Sequence, residues 1–137
     1  MTAITEVTTC VLPVAQPGSA LAEAYARSAA LHEHYLLCQI TRLGRLSAYK
    51  RVADWLLETQ ARLAMAGVPT VDQFLVPLTQ ELLADALGLT SVHVNRTLQA
   101  LRRDELITWQ AGLASVLDRR RLEKLADHKP PRISAER

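Results

Sequence analysis

The chain has 137 residues, enough for one compact domain with an appendage, and 49% of them are hydrophobic, enough for a core. Aromatic residues make up only 4%, so we expect the core to consist of Leu, Ala and Val, as in a helical protein. The net charge of +2 permits nucleic-acid binding without requiring it, and the two cysteines exclude a disulfide framework and a four-thiolate iron–sulfur cluster.

The first 18 residues are predicted to be one strand followed by a linker. Residues 4–12 alternate imperfectly and are rich in Thr and Val, which is typical of a strand. Pro13, Pro17 and Gly18 then break the pattern. The sequence offers no nearby second strand as a partner for this one.

A long helix is predicted from residue 19 to residue 43, with Ser19 as its N-cap. Residues recurring at spacings of three and four indicate a heptad-like seam, formed by Leu21, Ala24, Ser28, Leu31, Tyr35, Cys38 and Arg42. A second apolar face lies towards the C-terminal end, formed by Leu36, Leu37, Ile40 and Leu43.

A helix with two apolar faces needs two partners. One partner is the rest of the chain, and the other is predicted to be the same helix in a second copy, which makes a homodimer. The alternative is a helix buried within a single chain, which we disfavour because the chain is small.

Gly44 interrupts this helix, and Ser47 is the predicted N-cap of the next one, which ends near Gly67. A loop at 68–73 and a short strand at 74–78 follow. The apolar face of the second helix consists of Val52, Ala53, Leu56, Leu57, Gln60, Leu63 and Ala64.

Residues 79–107 are predicted to form a helix, a tight turn and a second helix. Thr79 is a good N-cap, because its hydroxyl accepts a hydrogen bond from a free backbone N–H. Gly88 supplies the left-handed residue that ends the first helix, and Thr90 caps the second. The apolar residues are Leu82, Leu83, Ala86 and Leu87 on the first helix, and Val94, Leu98 and Leu101 on the second.

The second helix keeps a polar face, which is the surface that the DNA major groove accepts. Arg96 can donate two hydrogen bonds to guanine and Asn95 can pair with adenine, so these two residues are predicted to read bases. His93 either meets a phosphate or is solvated. The whole predicted DNA-binding set is Thr79, Gln80, Thr90, Ser91, Val92, His93, Asn95, Arg96, Gln99, Arg102 and Arg103.

Within this set, Ser91, Val92 and Gln99 are expected beside the base-reading pair, and phosphate contacts are expected from Thr79, Gln80, Arg102 and Arg103. The alternative is a helical hairpin whose polar face is merely solvated, which is the commoner case for an arbitrary hairpin. We favour DNA binding because the turn length, the glycine position and two separate caps agree.

After the second helix, residues 107–109 and 113–117 are predicted to form a hairpin, the wing of a winged helix. Its tip at 110–112 carries no basic residue, so its phosphate contact is expected to be weak. Asp118 caps a last helix. In that helix Leu122, Leu125 and Ala126 are expected inside, and Arg119, Arg120, Arg121 and Lys124 outside.

Three segments resemble the Crp/Fnr family of bacterial transcription regulators. They are LGRLSAYKRVADWLLE at 43–58, FLVPLTQELLADALGLTSVHVNRTLQALRRDELI at 74–107 and VLDRRRLEKLAD at 116–127. They are similar, in that order, to the family's linker helix, helix-turn-helix and closing helix. The resemblance implies a mainly α fold with a small β wing, in which a long dimerisation helix precedes a winged helix-turn-helix.

The resemblance also implies how the chain is divided. Residues 1–18 would be the remnant strand and linker of an absent N-terminal β-roll, 19–43 the dimerisation helix, 44–127 the DNA-binding domain and 128–137 a disordered tail. The dimerisation residues would be Leu21, Ala24, Ser28, Leu31, Tyr35 and Cys38.

The implied function is that of a sequence-specific transcription regulator, a homodimer on a palindromic operator in double-stranded DNA, with RNA polymerase as a further partner. The alternative is an interaction protein that pairs through residues 19–43 with a full-length relative and modulates it.

The chain departs from the family pattern in four places, one of which is the wing tip without a basic residue. The phosphate-binding cassette of the β-roll is absent, so we expect no cofactor. Val92 stands where many members carry a glutamate, and a valine can touch a thymine methyl but cannot accept from a cytosine amine. Glu105 stands where a glycine is usual, which costs about 1 kcal/mol if the backbone there needs a positive φ.

Other combinations of residues are less informative. His34 and Cys38 lie one helical turn apart and form at most half a metal site, so no metal is expected. Trp55 and Trp109 are interpreted as packing residues. The sequence has no phosphate-binding loop or nucleophile motif, so we expect no enzyme. Without a long apolar run or a signal segment, we expect a cytoplasmic protein with no membrane partner.

Overall fold

The computed structural model describes residues 6–70 and 73–131 of the chain. The fold is mainly α with one small antiparallel sheet, as predicted. In chain order the elements are α1 (Ala20–Arg45), α2 (Ala48–Met65), β1 (Phe74–Leu75), α3 (Gln80–Leu87), α4 (Ser91–Arg103), β2 (Ile107–Gln110), β3 (Leu113–Val116) and α5 (Arg119–Ala126). None of the helices in the described ranges is a candidate membrane span.

Each of the five helices in the described residues begins at a side chain that caps the backbone, and these caps confirm the prediction. In each case the side-chain oxygen accepts a hydrogen bond from the N–H three residues later. The caps are Ser19, Ser47, Thr79, Thr90 and Asp118. Such a cap is typically worth about 1 kcal/mol, so these residues determine where each helix begins.

The core lies around α2, which packs against α4 and α5, while α3 packs against α4. Its fully buried members include Val52, Leu57, Leu87, Leu101 and Leu122. The predicted inner face of α3 needs a correction. Leu83 and Leu87 are buried as expected, but Ala84 is the third buried residue, whereas Leu82 is 43% exposed and Ala86 is exposed.

The three strands are ordered β1-β3-β2, and both pairs are antiparallel. The predicted wing is confirmed, with Ile107 opposite Val116 and Gln110 opposite Leu113. Ala111 and Gly112 connect the strands with φ values of 51° and 79°, as a two-residue turn with two positive φ angles requires. The strand predicted at 74–78 is only two residues long, because Pro77 has no N–H to donate to a sheet.

The strand predicted at 4–12 is wrong over residues 6–12, which are in no regular structure. Val7, Val11 and Leu12 are 61%, 94% and 70% exposed. A strand needs a neighbour for its backbone N–H and C=O groups, and no strand lies beside this segment within the described residues. Residues 4 and 5 lie outside the described residues, as do 132–137 of the predicted disordered tail.

Helix α1 extends beyond Gly44, where we expected an interruption, and ends at Arg45. A single glycine costs a helix about 1 kcal/mol relative to alanine, which is too little to stop a helix held by tertiary contacts. The end comes instead at Leu46, whose backbone is extended at φ −93° and ψ 141°.

The C-terminal part of α1 is attached to α2 by a buried ion-pair cluster. Arg42 is only 2% exposed, and its guanidinium pairs with Asp54 at 2.8 Å and also with Glu58. Asp54 additionally accepts a hydrogen bond from Nδ1 of His128 at 2.7 Å. Burial acts to raise the pKa of Asp54, but the hydrogen bond from His128 and the charge of Arg42 outweigh it and lower that pKa. Arg42, which the spacing assigned to the seam between two copies, therefore contacts α2 of its own chain instead.

The backbone at Glu105 has φ 57°, so the conformation that this position requires is one that glycine adopts without strain. We expect Glu105→Gly to raise the free energy of unfolding by about 1 kcal/mol, because the left-handed conformation costs other L-residues about that much. Chemical denaturation measures the change. Glu105→Ala is the control, since it removes the charge and keeps the strain; if it stabilises the chain equally, the backbone is not the cause.

Candidate nucleic-acid interface

Helices α3 and α4 are joined by a three-residue turn, Gly88-Leu89-Thr90. Gly88 is left-handed at φ 59°, and the N–H of Leu89 donates to the carbonyl of Ala84 at 2.9 Å, which closes the end of α3. Thr90 then caps α4. The left-handed Gly88 and the cap Thr90, both predicted from the sequence, therefore set where α3 ends and α4 begins.

Helix α4 has one buried face and one exposed face. Val94, Leu98 and Leu101 are at most 2% exposed, as predicted. Thr97 is buried too, which the apolar pattern did not indicate. The opposite face, with Val92, Arg96 and Gln99, is exposed to solvent.

Three amide side chains run across the exposed surface of α3 and α4, and we call them the amide row: Gln80, Asn95 and Gln99. Nδ2 of Asn95 donates to Oε1 of Gln80 at 3.2 Å, and Nε2 of Gln99 donates to Oδ1 of Asn95 at 2.8 Å. Together with Ser91, Val92 and Arg96 the row lines a shallow depression. The row places donors and acceptors at fixed positions on the surface.

Arg96 lies beside the amide row and is exposed. Within the described part of the chain its guanidinium makes no ion pair or hydrogen bond. Val92, one turn earlier, is 60% exposed, so its apolar side chain is available for contact. A guanidinium with its donors open and an apolar contact next to it are the groups that distinguish base edges in a major groove.

The other residues of the predicted set lie around this surface. The hydroxyls of Thr79 and Thr90 serve as helix caps, His93 is exposed, and Arg103 is 78% exposed beside Asp104 at 3.7 Å. Arg102 differs: its Nε donates to the carbonyl of Leu98 at 3.2 Å and its Nη1 to the carbonyl of Trp109 at 3.3 Å. It connects α4 to the wing.

The wing is positioned by an aromatic pair. Trp109 in β2 stacks on Trp55 in α2, with ring centroids 6.4 Å apart and an interplanar angle of 22°. Both indoles are half-buried, which confirms the packing interpretation. The wing tip around Ala111 is exposed and uncharged.

The predicted dimerisation residues do not all face the same way. Tyr35 donates to Sδ of Met65 at 3.5 Å and stacks under Arg62, so it contacts α2 of its own chain. Leu21, Leu31 and Cys38 are half-buried, and Ala24 and Ser28 are exposed. The most exposed large apolar residues of α1 are Leu36, Leu37 and Ile40, at 64%, 58% and 67%; we call them the outer face.

His34 and Cys38, the pair that could form half a metal site, lie within contact distance of each other. Sγ of Cys38 lies 3.5 Å from Nε2 of His34. Over the described ranges, no group of three His, Cys, Asp or Glu side chains is arranged to hold a metal ion.

Arg51 is a residue that the sequence reasoning missed. From the first turn of α2 it donates to four backbone carbonyls, those of Leu43, Leu46, Leu87 and Gly88, at 3.1, 3.0, 2.7 and 3.3 Å. Two of its acceptors lie 36 and 37 residues away, so no local pattern marks it.

The sequence matches the profile of the Crp-like helix-turn-helix domain over residues 50–125. Among curated proteins, the chain is similar to the transcriptional activatory protein AadR of Rhodopseudomonas palustris, with 38% identity over 89 residues. It is also similar to the nitrogen fixation regulation protein FixK of Bradyrhizobium diazoefficiens, with 41% identity over 85 residues. These matches cover 64% and 61% of the chain but only 36% and 35% of the relatives, so it spans about a third of their length.

Among solved structures, FixK2 from Bradyrhizobium japonicum matches with a TM-score of 0.66 and 26% identity, covering 82% of this chain and 54% of that one. TTHB099, a regulator of the CRP family from Thermus thermophilus, matches at a TM-score of 0.62 and 24% identity, over 78% and 54% of the two chains, and shows the same fold. Because the profile spans 76 of 137 residues, and relatives and fold agree with it, the chain belongs to the family of Crp-like helix-turn-helix transcription regulators.

Proposed function

We propose that the chain is a sequence-specific DNA-binding regulator that acts as a homodimer on a palindromic operator. The observation that carries the proposal is the exposed face of α4, where the open guanidinium of Arg96 lies beside the amide row. The buried face of the same helix fixes this surface to a rigid core. A base-reading surface needs both open donors and a fixed position.

In the complex, Arg96 donates two hydrogen bonds to a guanine and Asn95 pairs with an adenine, with Gln99 and Ser91 beside them. Val92 contacts a thymine methyl, where many members of the family have a glutamate that accepts from a cytosine amine. The operator of this chain therefore differs from the common family site at that base pair.

Phosphates are held by residues at the edge of this surface. Thr79, Gln80 and Thr90 lie at the N-terminal ends of α3 and α4, where open backbone N–H groups attract anions. Arg103 adds a charge at the other end of α4. Arg102 supports the wing through the carbonyl of Trp109, and so aids binding indirectly.

The homodimer forms through α1. The outer face exposes three large apolar side chains within five residues, which a second copy of the helix would bury. A two-fold dimer presents two α4 helices, which read half-sites about 34 Å apart on one side of the duplex. The same outer face would also accept the corresponding helix of a longer relative, which is the second candidate partner.

The test uses the purified chain and a pool of randomised duplexes. Repeated selection should enrich an inverted repeat, and the chain should then bind that repeat at least tenfold more tightly than a shuffled duplex. The logarithm of the affinity should fall linearly with the logarithm of the salt concentration, by about 0.9 for each neutralised phosphate. Failure to enrich any sequence, or equal affinity for the shuffled duplex, would contradict the proposal.

The oligomeric state is measured separately by sedimentation. The chain should be a dimer, and Ile40→Asp should make it a monomer without changing its helix content, since a charge on the outer face prevents burial. A dimer that survives this change would place the interface elsewhere. A chain that is monomeric alone but pairs with a full-length relative would favour the second candidate.

A further inference from the structure

We propose that Arg51 is a positioning residue that fixes the direction of α1 relative to the helix-turn-helix and thereby sets the half-site spacing of the operator. This inference rests on the proposed function, because spacing has meaning only for a dimer on DNA. Arg51 lies outside the base-reading surface.

The guanidinium of Arg51 joins the ends of two helices. Nη2 donates to the carbonyls of Leu43 and Leu46 at the end of α1, at 3.1 and 3.0 Å. Nη1 donates to the carbonyls of Leu87 and Gly88 at the end of α3, at 2.7 and 3.3 Å. One planar group therefore connects the helix that carries the outer face with the turn that precedes α4.

The chemistry of this contact requires an arginine. The last carbonyls of a helix have no partner within it, and a cation near them is favoured by the helix dipole. The fork of a guanidinium points donors in two fixed directions, so it can hold two helix ends at a defined angle. A lysine would bring the charge without the two directions.

Two further contacts lie beside this connection. Nε2 of Gln39 in α1 donates to the carbonyl of Ala86 in α3 at 2.7 Å. A Cβ atom at Gly88 would lie 3.3 Å from Cδ2 of Leu43, so the Leu43 side chain of α1 lies close against the turn. The ion pairs of Arg42, by contrast, run from α1 to α2 and do not reach α3. Arg51 and Gln39 thus decide how α1 is directed towards α3.

A small change of direction matters at the scale of DNA. Helix α4 has 13 residues, so it is about 20 Å long at 1.5 Å per residue. A tilt of about 10° moves its far end by about 3.5 Å, close to the rise of about 3.4 Å per base pair. A half-site displaced by one base pair loses its base contacts, which cost about tenfold or more in affinity per mismatched pair.

The test compares Arg51→Met, which keeps the length of the side chain and removes all its donors, with the unchanged chain. The DNA is a series of duplexes with the same two half-sites and a central spacer lengthened or shortened by one or two base pairs, together with a duplex that has a single half-site. We expect the unchanged chain to prefer one spacing by about tenfold or more. In Arg51→Met that preference should shrink several-fold, whereas affinity for the single half-site should stay the same.

The matched control is Lys50→Met, which removes a neighbouring exposed cation from the same turn of α2, on the side of Tyr49 and Asp104. It should keep the spacing preference. If Arg51→Met keeps the preference as well, or if it weakens the single half-site equally, the inference is wrong. Should Arg51→Met not fold, Arg51→Lys takes its place, and we expect the same loss of spacing preference.

A second measurement does not depend on DNA. Spin labels are attached at Ala30→Cys in α1 and Glu81→Cys in α3, in a chain whose Cys10 and Cys38 are replaced by serine. The labelled chain is diluted with unlabelled protein, so that the labels report the distance between the two helices of one chain. Arg51→Met should broaden that distance distribution, and an unchanged distribution would overturn the inference. If the unchanged chain binds no palindrome, the proposed function fails, while the distance measurement still reports whether Arg51 fixes α1.

Discussion

Arg96→Ala should remove most of the preference for the operator while leaving the fold intact. A bidentate contact between arginine and guanine is worth about 1–3 kcal/mol of discrimination, and a two-fold dimer makes it twice. The expected loss of operator affinity is therefore about 2–6 kcal/mol. Because Arg96 is exposed and makes no pair within the described residues, its removal should change the free energy of unfolding by about 0.5 kcal/mol or less.

The measurement is a titration of the selected palindrome and of a shuffled duplex with each variant. Arg103→Ala is the matched control, since it removes another exposed arginine from the end of α4. It should weaken both duplexes about equally and reduce the salt slope by about 2, because a two-fold dimer loses one phosphate contact in each subunit. If Arg96→Ala weakens both duplexes equally, Arg96 is a phosphate ligand and the assignment of base reading to it is wrong.

Arg42→Met should destabilise the chain by about 3–5 kcal/mol, because it removes the buried cation that the Asp54 and Glu58 carboxylates share. Arg42 is 2% exposed and pairs with both Asp54 and Glu58. The methionine keeps most of the side-chain volume, so the effect comes from the charge. Chemical denaturation followed by circular dichroism measures the loss.

The control for this change is Arg62→Met, which removes the second cation from Glu58. The Arg62 side chain is 52% exposed, so its ion pair is screened by solvent and its loss should cost less than about 1 kcal/mol. If Arg42→Met costs no more than Arg62→Met, the buried cluster does not hold α1 to α2.

The sequence was most informative where structure is decided by neighbouring residues. Thr79 and Thr90 each accept a hydrogen bond from an N–H three residues later, so the start of both helices could be predicted. The positive φ of Gly88 follows from the same local logic, whereas the one at Glu105 could be expected only from the glycine that is usual at this place in the family. The face of α4 that stays exposed then follows from its apolar spacing, which is why the candidate site could be located before the structure was known.

The sequence was least informative about contacts between distant segments. Arg42 fits the heptad spacing of α1, yet it is buried against its own chain, because two carboxylates 12 and 16 residues later surround it. Arg102 was grouped with the phosphate contacts, yet it donates to the wing. Arg51 carries no local signal at all. In each case the partners of a charged side chain are set by tertiary packing, which a periodic pattern does not encode.

The stacked pair of Trp55 and Trp109 has a practical consequence, since these are the only two tryptophans of the chain. Two indoles 6.4 Å apart couple their electronic transitions, so the tryptophan part of the near-ultraviolet circular dichroism should depend on how the two rings are placed. One ring lies on the central helix and the other on the hairpin. The natural sequence thus contains an optical sensor of wing displacement, readable during a DNA titration without any attached dye.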